Sequence, residues 1–181
     1  MKVLSIIGSP RKKGNTSLMS DMLFERLGHT KYDLEKIFLA DLEVNPCTDC
    51  RACKEGELVC TVKDDMPDLY QKIEQSEILV IGTPIYWYAP TAQMKAMLDR
   101  FRPYFYNEKL KGKKVALLLP AGSGHGDCEL TISMLKRMSS ALEMQYLGAV
   151  TAEAYDEGDV LNNASVSQAI KELSVAITDI D

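Results

Sequence analysis

Three short apolar runs constrain what this chain can fold into more than any other feature. Residues 3–7, 78–81 and 115–119 are dominated by Val, Ile and Leu, and none alternates cleanly between apolar and polar positions. A strand with one face in water shows that alternation, whereas a strand covered on both faces does not need it. The runs therefore predict buried strands of a parallel sheet with helices on either side. Residues 32–39 and 146–151 are weaker strand candidates.

The intervening segments have helical period. Leu18, Met22, Phe24 and Leu27 recur along residues 16–27, and Met66, Leu69, Tyr70 and Ile73 along 66–75. Residues 91–106 read as one helix carrying Met94, Met97, Leu98, Phe101, Tyr104 and Phe105. Residues 128–142 form another, with Asp127 placed as N-cap, and 165–177 a last one. Alternating strands and helices mean an α/β sheet with right-handed crossovers. Five such strands match a flavodoxin-like three-layer sandwich, its parallel sheet ordered 2-1-3-4-5. The 181 residues contain no linker, repeat or low-complexity stretch, so one domain over 1–181 is expected, with a cysteine-bearing insertion at about 45–65.

Composition narrows the function. With 46% hydrophobic residues and a net charge of −5 the chain is not disordered. The acidic balance argues against nucleic acid, which needs a basic field. No apolar run approaches the roughly 20 residues of a membrane span. The first residues read as a strand and not as a signal peptide, which predicts a cytoplasmic protein.

In such a sheet, ligands bind outside the carboxyl ends of the strands. The first run leads into Gly8-Ser9-Pro10-Arg11-Lys12-Lys13-Gly14-Asn15-Thr16-Ser17. Glycines that admit a close backbone, hydroxyl donors and a following helix N-terminus together suit a phosphate monoester. The loop is not a Walker A motif, because Asn15 follows Gly14 where that motif has Lys. The competing reading is a plain strand-to-helix turn capped by Asn15 or Thr16. Arg11 is a candidate charge partner for the phosphate, while Lys12 and Lys13 read equally well as a solvated tip. The next run ends in Thr83-Pro84-Ile85-Tyr86-Trp87-Tyr88, which offers flat side chains and backbone donors to a ring. These aromatics could instead pack under the next helix or at a subunit contact. The run at 115–119 is followed by Pro120-Ala121-Gly122-Ser123-Gly124-His125-Gly126-Asp127, where His125 is either a donor to a bound ring or an exposed loop residue.

The stretch Gly8-Ser9-Pro10-Arg11, followed by Gly14-Asn15-Thr16, resembles the FMN-phosphate loop of the NADPH-dependent FMN reductase family. The resemblance continues in residues 82–87 and in Gln93-Met94-Lys95-Ala96-Met97-Leu98-Asp99-Arg100. It implies a flavodoxin-like fold that binds FMN non-covalently. Ser9, Arg11, Gly14, Asn15, Thr16 and Ser17 would then hold the phosphate. Pro84, Ile85, Tyr86 and Trp87 would run along the isoalloxazine, with Ala121, Gly122, Gly124 and His125 forming the third loop. No catalytic side chain is required, because the flavin carries the redox chemistry. The resemblance also implies a homodimer or homotetramer. The aromatic end at residues 101–106 fits a subunit contact or a helix packing inward.

Of five cysteines, four lie within fourteen residues, at Cys47, Cys50, Cys53 and Cys60, and Cys128 stands apart. Two-residue gaps resemble the bacterial ferredoxin run, in which thiolates wrap an iron–sulfur cluster. Zinc and unmetallated redox thiols compete with that reading. Within the flavin family the motif resembles the iron-sulfur flavoproteins, which implies a 4Fe–4S cluster on those four cysteines. The expected function is an FMN-dependent oxidoreductase that relays electrons through the cluster from a ferredoxin-like donor to a small-molecule acceptor. The alternatives are an NAD(P)H-dependent reductase of FMN or quinones without a cluster, and a non-catalytic electron carrier or redox-sensing module.

Overall fold

The computed structural model describes residues 1–179; Ile180 and Asp181, the end of the expected domain, lie outside them. Five parallel strands form one sheet: β1 (Lys2–Ile7), β2 (Asp33–Phe38), β3 (Ile78–Gly82), β6 (Lys114–Ala121) and β7 (Gln145–Glu153). Their spatial order is β2-β1-β3-β6-β7, the predicted 2-1-3-4-5. A two-stranded antiparallel hairpin, β4 (Ile85–Tyr86) with β5 (Ala89–Pro90), follows β3.

Helices cover both faces, which is why the apolar runs do not alternate. Leu4, Ile6, Leu79, Ile81, Leu117 and Leu119 face α2 (Met66–Gln75), α3 (Ala92–Asp99) and α5 (His125–Ala141). Val3, Ile78, Val80, Ala116 and Leu118 face α1 (Asn15–Leu27) and α6 (Ala164–Thr178). Ser5, the polar residue inside β1, is fully buried and accepts a hydrogen bond from Ser20 of α1 at 2.8 Å. That bond offsets most of the desolvation of two hydroxyls.

Three helix expectations change. Residues 91–106 form two helices, α3 and α4 (Arg102–Asn107). Pro103 cannot donate into a continuing helix and its ring would strike the preceding turn, so the chain turns at Arg100–Phe101 and Pro103 opens a new helix. The break divides the aromatic end: Phe101 and Tyr104 are each 2% exposed and packed inward, whereas Phe105 is 58% exposed. Helix α5 starts at His125 with Gly124 as its N-cap at φ +80°, so Asp127 lies in the first turn and is not the cap. Helix α1 starts at Asn15 with Gly14 as its cap, so neither Asn15 nor Thr16 caps it. At the far end Asn163 caps α6 by accepting from the N–H groups of Ser165 and Val166. No described helix is long and apolar enough to cross a membrane.

Candidate functional site

The carboxyl ends of β1, β3, β6 and β7 surround a cleft of about 390 Å³, within the usual range of roughly 300–1,000 Å³ for small-molecule sites. Gly8 lies just before it, between β1 and the cleft-lining Ser9. The Gly8 N–H donates to Gly82 O at 2.7 Å and its carbonyl accepts from Thr91 Oγ1 at 2.7 Å, which ties the first loop to β3 and to the start of α3. A Cβ on Gly8 would lie 2.9 Å from Met94 Cβ and Thr91 Oγ1, so a side chain there would force the loop away from α3. A Cβ on Gly14 would likewise meet Arg11 Cβ at 2.9 Å.

Ser9, Arg11, Gly14, Asn15 and Thr16 line the cleft. The first N–H groups of a helix have no partner within it. Among the described residues no side chain caps α1, and its first turn holds no acidic residue. The helix start therefore presents unpaired donors and a positive dipole end beside the Ser9 and Thr16 hydroxyls and the Arg11 guanidinium. This donor set fits a phosphate.

Two members of the predicted loop do other work. Ser17 is buried off the cleft and accepts from Lys36 Nζ at 3.0 Å. Asn15 turns its amide to the loop after β7, donating to Asp156 O at 2.8 Å and accepting from Gly158 N at 3.0 Å. Lys12 pairs with Asp41 at 2.9 Å on the surface, in keeping with a solvated tip.

Pro84, Ile85 and Tyr86 form the second wall. Trp87 does not reach the cleft, nor is it packed under a helix: it is 93% exposed at the hairpin turn. Trp87 and Tyr88 both have positive φ, 51° and 63°, the pairing a tight two-residue hairpin turn requires. Pro120, Ala121 and Gly122 form the third wall, but Gly124 and His125 lie beyond it. Helix α5 begins one turn earlier than expected and draws both away, and His125 Nδ1 sits 3.1 Å from Thr151 Oγ1.

The fourth wall, Ala154, Tyr155, Asp156 and Glu157, was missed by sequence reasoning. The carboxyl-end rule applied to β7 would have pointed to it, but the strand signal there was weak. Asp159 holds this loop by accepting from the N–H groups of Tyr155 and Asp156 at 2.9 and 2.8 Å.

The cysteine segment lies between β2 and α2. Its only regular structure is the 3₁₀ turn Ala52–Lys54, which packs on α4. Asp49, Arg51 and Leu58 adopt positive φ, as does Gly56, so the chain winds back on itself. Cys53 is buried; that burial and the neighbouring Cys60 push its thiol up, with a smaller push from Cys47. Cys50 is exposed, and hydrogen bonds from the Ala52 N–H and the Thr61 hydroxyl hold its thiol below the ordinary value. Among the described residues no three His, Cys, Asp or Glu side chains gather around one metal-sized point. The donor set nonetheless has the chemistry of an iron–sulfur site: four thiols on one irregular segment, with Cys53 next to Cys60 and Cys47. Cys50 is the exposed one of the four, with its Sγ 3.7 Å from Thr61 Oγ1.

A buried ion pair anchors the segment. Arg100, at the end of α3, is 1% exposed and its NH1 lies 2.6 Å from Oδ2 of Asp64, which is 0% exposed. Burial pushes the Asp64 carboxyl up, but Arg100 and the N–H groups of Asn45 and Met66 together hold it below the ordinary range. Cys128 is fully buried, and burial with Asp127 nearby pushes its thiol up to about 11. Its S–H donates to Leu119 O, a structural role.

The model of the NADPH-dependent FMN reductase family matches residues 1–157. The chain belongs to this family. Among curated relatives, an iron-sulfur flavoprotein of Archaeoglobus fulgidus is 40% identical over 114 residues, covering 62% of this chain and 51% of that protein. The chain thus spans about half the length of that relative. An iron-sulfur flavoprotein of Methanocaldococcus jannaschii is 35% identical over 135 residues, covering 75% of this chain and 69% of the relative. The fold matches the structure titled Trp repressor binding protein from Bacillus subtilis with a TM-score of 0.72 at 20% identity, over 94% of this chain and 96% of that one.

Proposed function

We propose that the chain binds FMN in the four-walled cleft and carries a 4Fe–4S cluster on Cys47, Cys50, Cys53 and Cys60, passing electrons to a small-molecule acceptor. The observation that carries the flavin assignment is the uncapped start of α1 opening into a cleft at the strands' carboxyl ends. Bound there, FMN supplies hydride or one-electron transfer, and a cluster supplies one-electron transfer. The chain's own part is positional. The α1 N–H groups, Ser9, Thr16 and Arg11 hold the phosphate. Pro84, Ile85 and Tyr86 on one side and Ala121 and Gly122 on the other confine the ring. Asn15 keeps the Asp156–Gly158 loop in place as the fourth wall. The exposed Tyr155, whose ring edge would touch a Cβ on Gly122 at 3.4 Å, closes the open side.

The cluster reading is supported by the four-thiol segment and by relatives named iron-sulfur flavoproteins. The electron source is a ferredoxin-like donor or NAD(P)H. A second reading, an NAD(P)H-dependent reductase without a cluster, is favoured by the exposure of Cys50. A putative NAD(P)H-dependent FMN-containing oxidoreductase of Bacillus subtilis is 25% identical over 181 residues. Anaerobic purification followed by flavin, iron and sulfide analysis separates the readings. About four irons per chain are expected for a cubane; a yellow, iron-free protein that still turns over NAD(P)H establishes the second reading.

A further inference from the structure

Arg100 is fully buried at the end of α3, and the hydrogen bonds its guanidinium donates go to the cysteine segment, with the Tyr70 hydroxyl of α2 beside both Arg100 and Cys60. Its NH1 donates to Asn45 O at 2.9 Å, just before the first cysteine, and to Asp64 Oδ2 at 2.6 Å, just after the last. NH2 donates to Asp64 Oδ1 at 3.2 Å, completing a two-pronged ion pair. Nε donates to Cys60 Sγ at 3.1 Å. Asp64 in turn accepts from the N–H groups of Asn45 and Met66 at 2.9 and 3.0 Å, which closes the base of the segment. The other end of α3 is Thr91, whose hydroxyl bonds the carbonyl of Gly8, the residue before the cleft-lining Ser9. One short helix therefore joins the cleft to the cysteines.

An ion pair alone does not account for this arrangement. Closing a loop needs only the two prongs on Asp64 and the bond to Asn45. The Nε–H aimed at sulfur is additional, and a buried charged donor is a costly neighbour for a neutral thiol but a favourable one for a thiolate or a metal-bound sulfur. Such outer-shell donors orient metal ligands and set the potential of the site.

We propose that Arg100 is the positioning residue of the cysteine site, holding Cys60 Sγ in place as a cluster ligand through its Nε–H and raising the reduction potential of the bound cluster. This rests on the cluster reading above. The fixed planar fork is what allows one side chain to serve Asp64 and Cys60 together, and a lysine ammonium cannot do both.

The test is Arg100→Lys, which keeps the charge beside Asp64 and removes the donor at Cys60. It is studied as FMN-loaded protein purified anaerobically next to wild type. The expected result is unchanged FMN content, a lower cluster midpoint potential, and loss of iron to a chelator faster by about 10-fold or more. A purely structural role for Arg100 would leave the potential unmoved. Arg100→Met combined with Asp64→Asn removes the buried charges together and is measured the same way, so that a folding failure of the first variant does not decide the matter. Equal potentials and equal chelation rates in a cluster-bearing wild type and either folded variant overturn the role of Arg100. A wild type that holds no iron or sulfide after anaerobic reconstitution overturns the cluster reading, and the proposal with it.

Discussion

The cleft at the strands' carboxyl ends and the cysteine segment are built in opposite ways. The cleft is made of loops that leave a buried sheet at fixed points, and its walls are held largely by main chain: Gly8 N–H to Gly82 O, Thr83 N–H to Leu118 O, Ala154 N–H to Ala121 O. Its donors need no assembly, because a helix start exposes them by construction. The cysteine segment has no strand and hangs on side chains: Arg100 to Asp64, Arg102 to Asp49 at 2.9 Å, Asn107 to Leu58 O at 3.4 Å. The first region is thus a preformed receptor. The second has its frame in place, but among the described residues no three of its donors gather around one point.

If the regions are independent in this way, Cys53→Ser abolishes iron binding, from about four irons per chain to background, because a cubane needs four thiolates. FMN content stays at the wild-type level. Iron retained in the variant would move the metal site elsewhere; FMN lost with the iron would show that the regions depend on each other.

The contrast extends to the thiols. In iron-free protein Cys50 is exposed with a lowered thiol, whereas Cys128, beside the cleft, is fully buried and raised to about 11. Two pKa units alone reduce the thiolate population about 100-fold. Alkylation followed by peptide mass spectrometry should therefore label Cys50 at least about 100-fold faster than Cys128. Comparable rates would mean that the start of α5 opens readily. The raised Cys128 value also has a stability consequence. Its folded-state thiol keeps its proton above the ordinary value of 9.0, so its contribution is complete below that pH and is lost as pH rises through about 11. Cys128→Ala should flatten that part of a urea-unfolding profile.

Asn15→Asp sharpens the account of the cleft. It replaces the donor to Asp156 O with a carboxylate oxygen and adds negative charge beside the α1 N-terminus. FMN affinity is expected to fall by about 10-fold or more, roughly the loss of one hydrogen bond with added repulsion. Iron content should not change. Fluorescence titration that finds wild-type affinity would remove Asn15 and its loop from the site.

The smallest effect belongs to the hairpin. Trp87 and Tyr88 occupy left-handed positions that cost a side-chain-bearing residue about 1–2 kcal/mol each, and Asn-Gly is the favoured pair there. Trp87→Asn with Tyr88→Gly should raise unfolding stability by about 1 kcal/mol and leave FMN affinity unchanged. A fall in affinity would place Trp87 at the ring after all.

Most of the fold was legible. The runs at 3–7, 78–81 and 115–119 became central strands, and the order of the sheet is the one expected from matching five strands to a flavodoxin-like sheet. The break between α3 and α4 was also present in the sequence as Pro103, but the continuing Met and aromatic spacing masked it. The site was legible as loops and less so as side chains. Ser9, Arg11, Gly14, Asn15, Thr16, Pro84, Ile85, Tyr86, Ala121 and Gly122 line the cleft, while Ser17, Trp87, Gly124 and His125 do not. Trp87, Gly124 and His125 stand at a hairpin turn and a helix start whose bounds the pattern did not fix, and Ser17 sits in the first turn of α1 on the side that meets Lys36.

Residue pattern alone therefore determined the layers and the edge of the sheet where a ligand is expected, because these follow from periodicity and chain chirality, which are local; the strand order came from the match of five strands to a flavodoxin-like sheet. Residue pattern also determined that four thiols share one segment. Only the tertiary structure decided that Asn15 grips a loop 141 positions away and that Arg100 reaches Cys60 across 40 positions. Contacts at such separations depend on how helices settle against the sheet, and no local pattern in the chain records that.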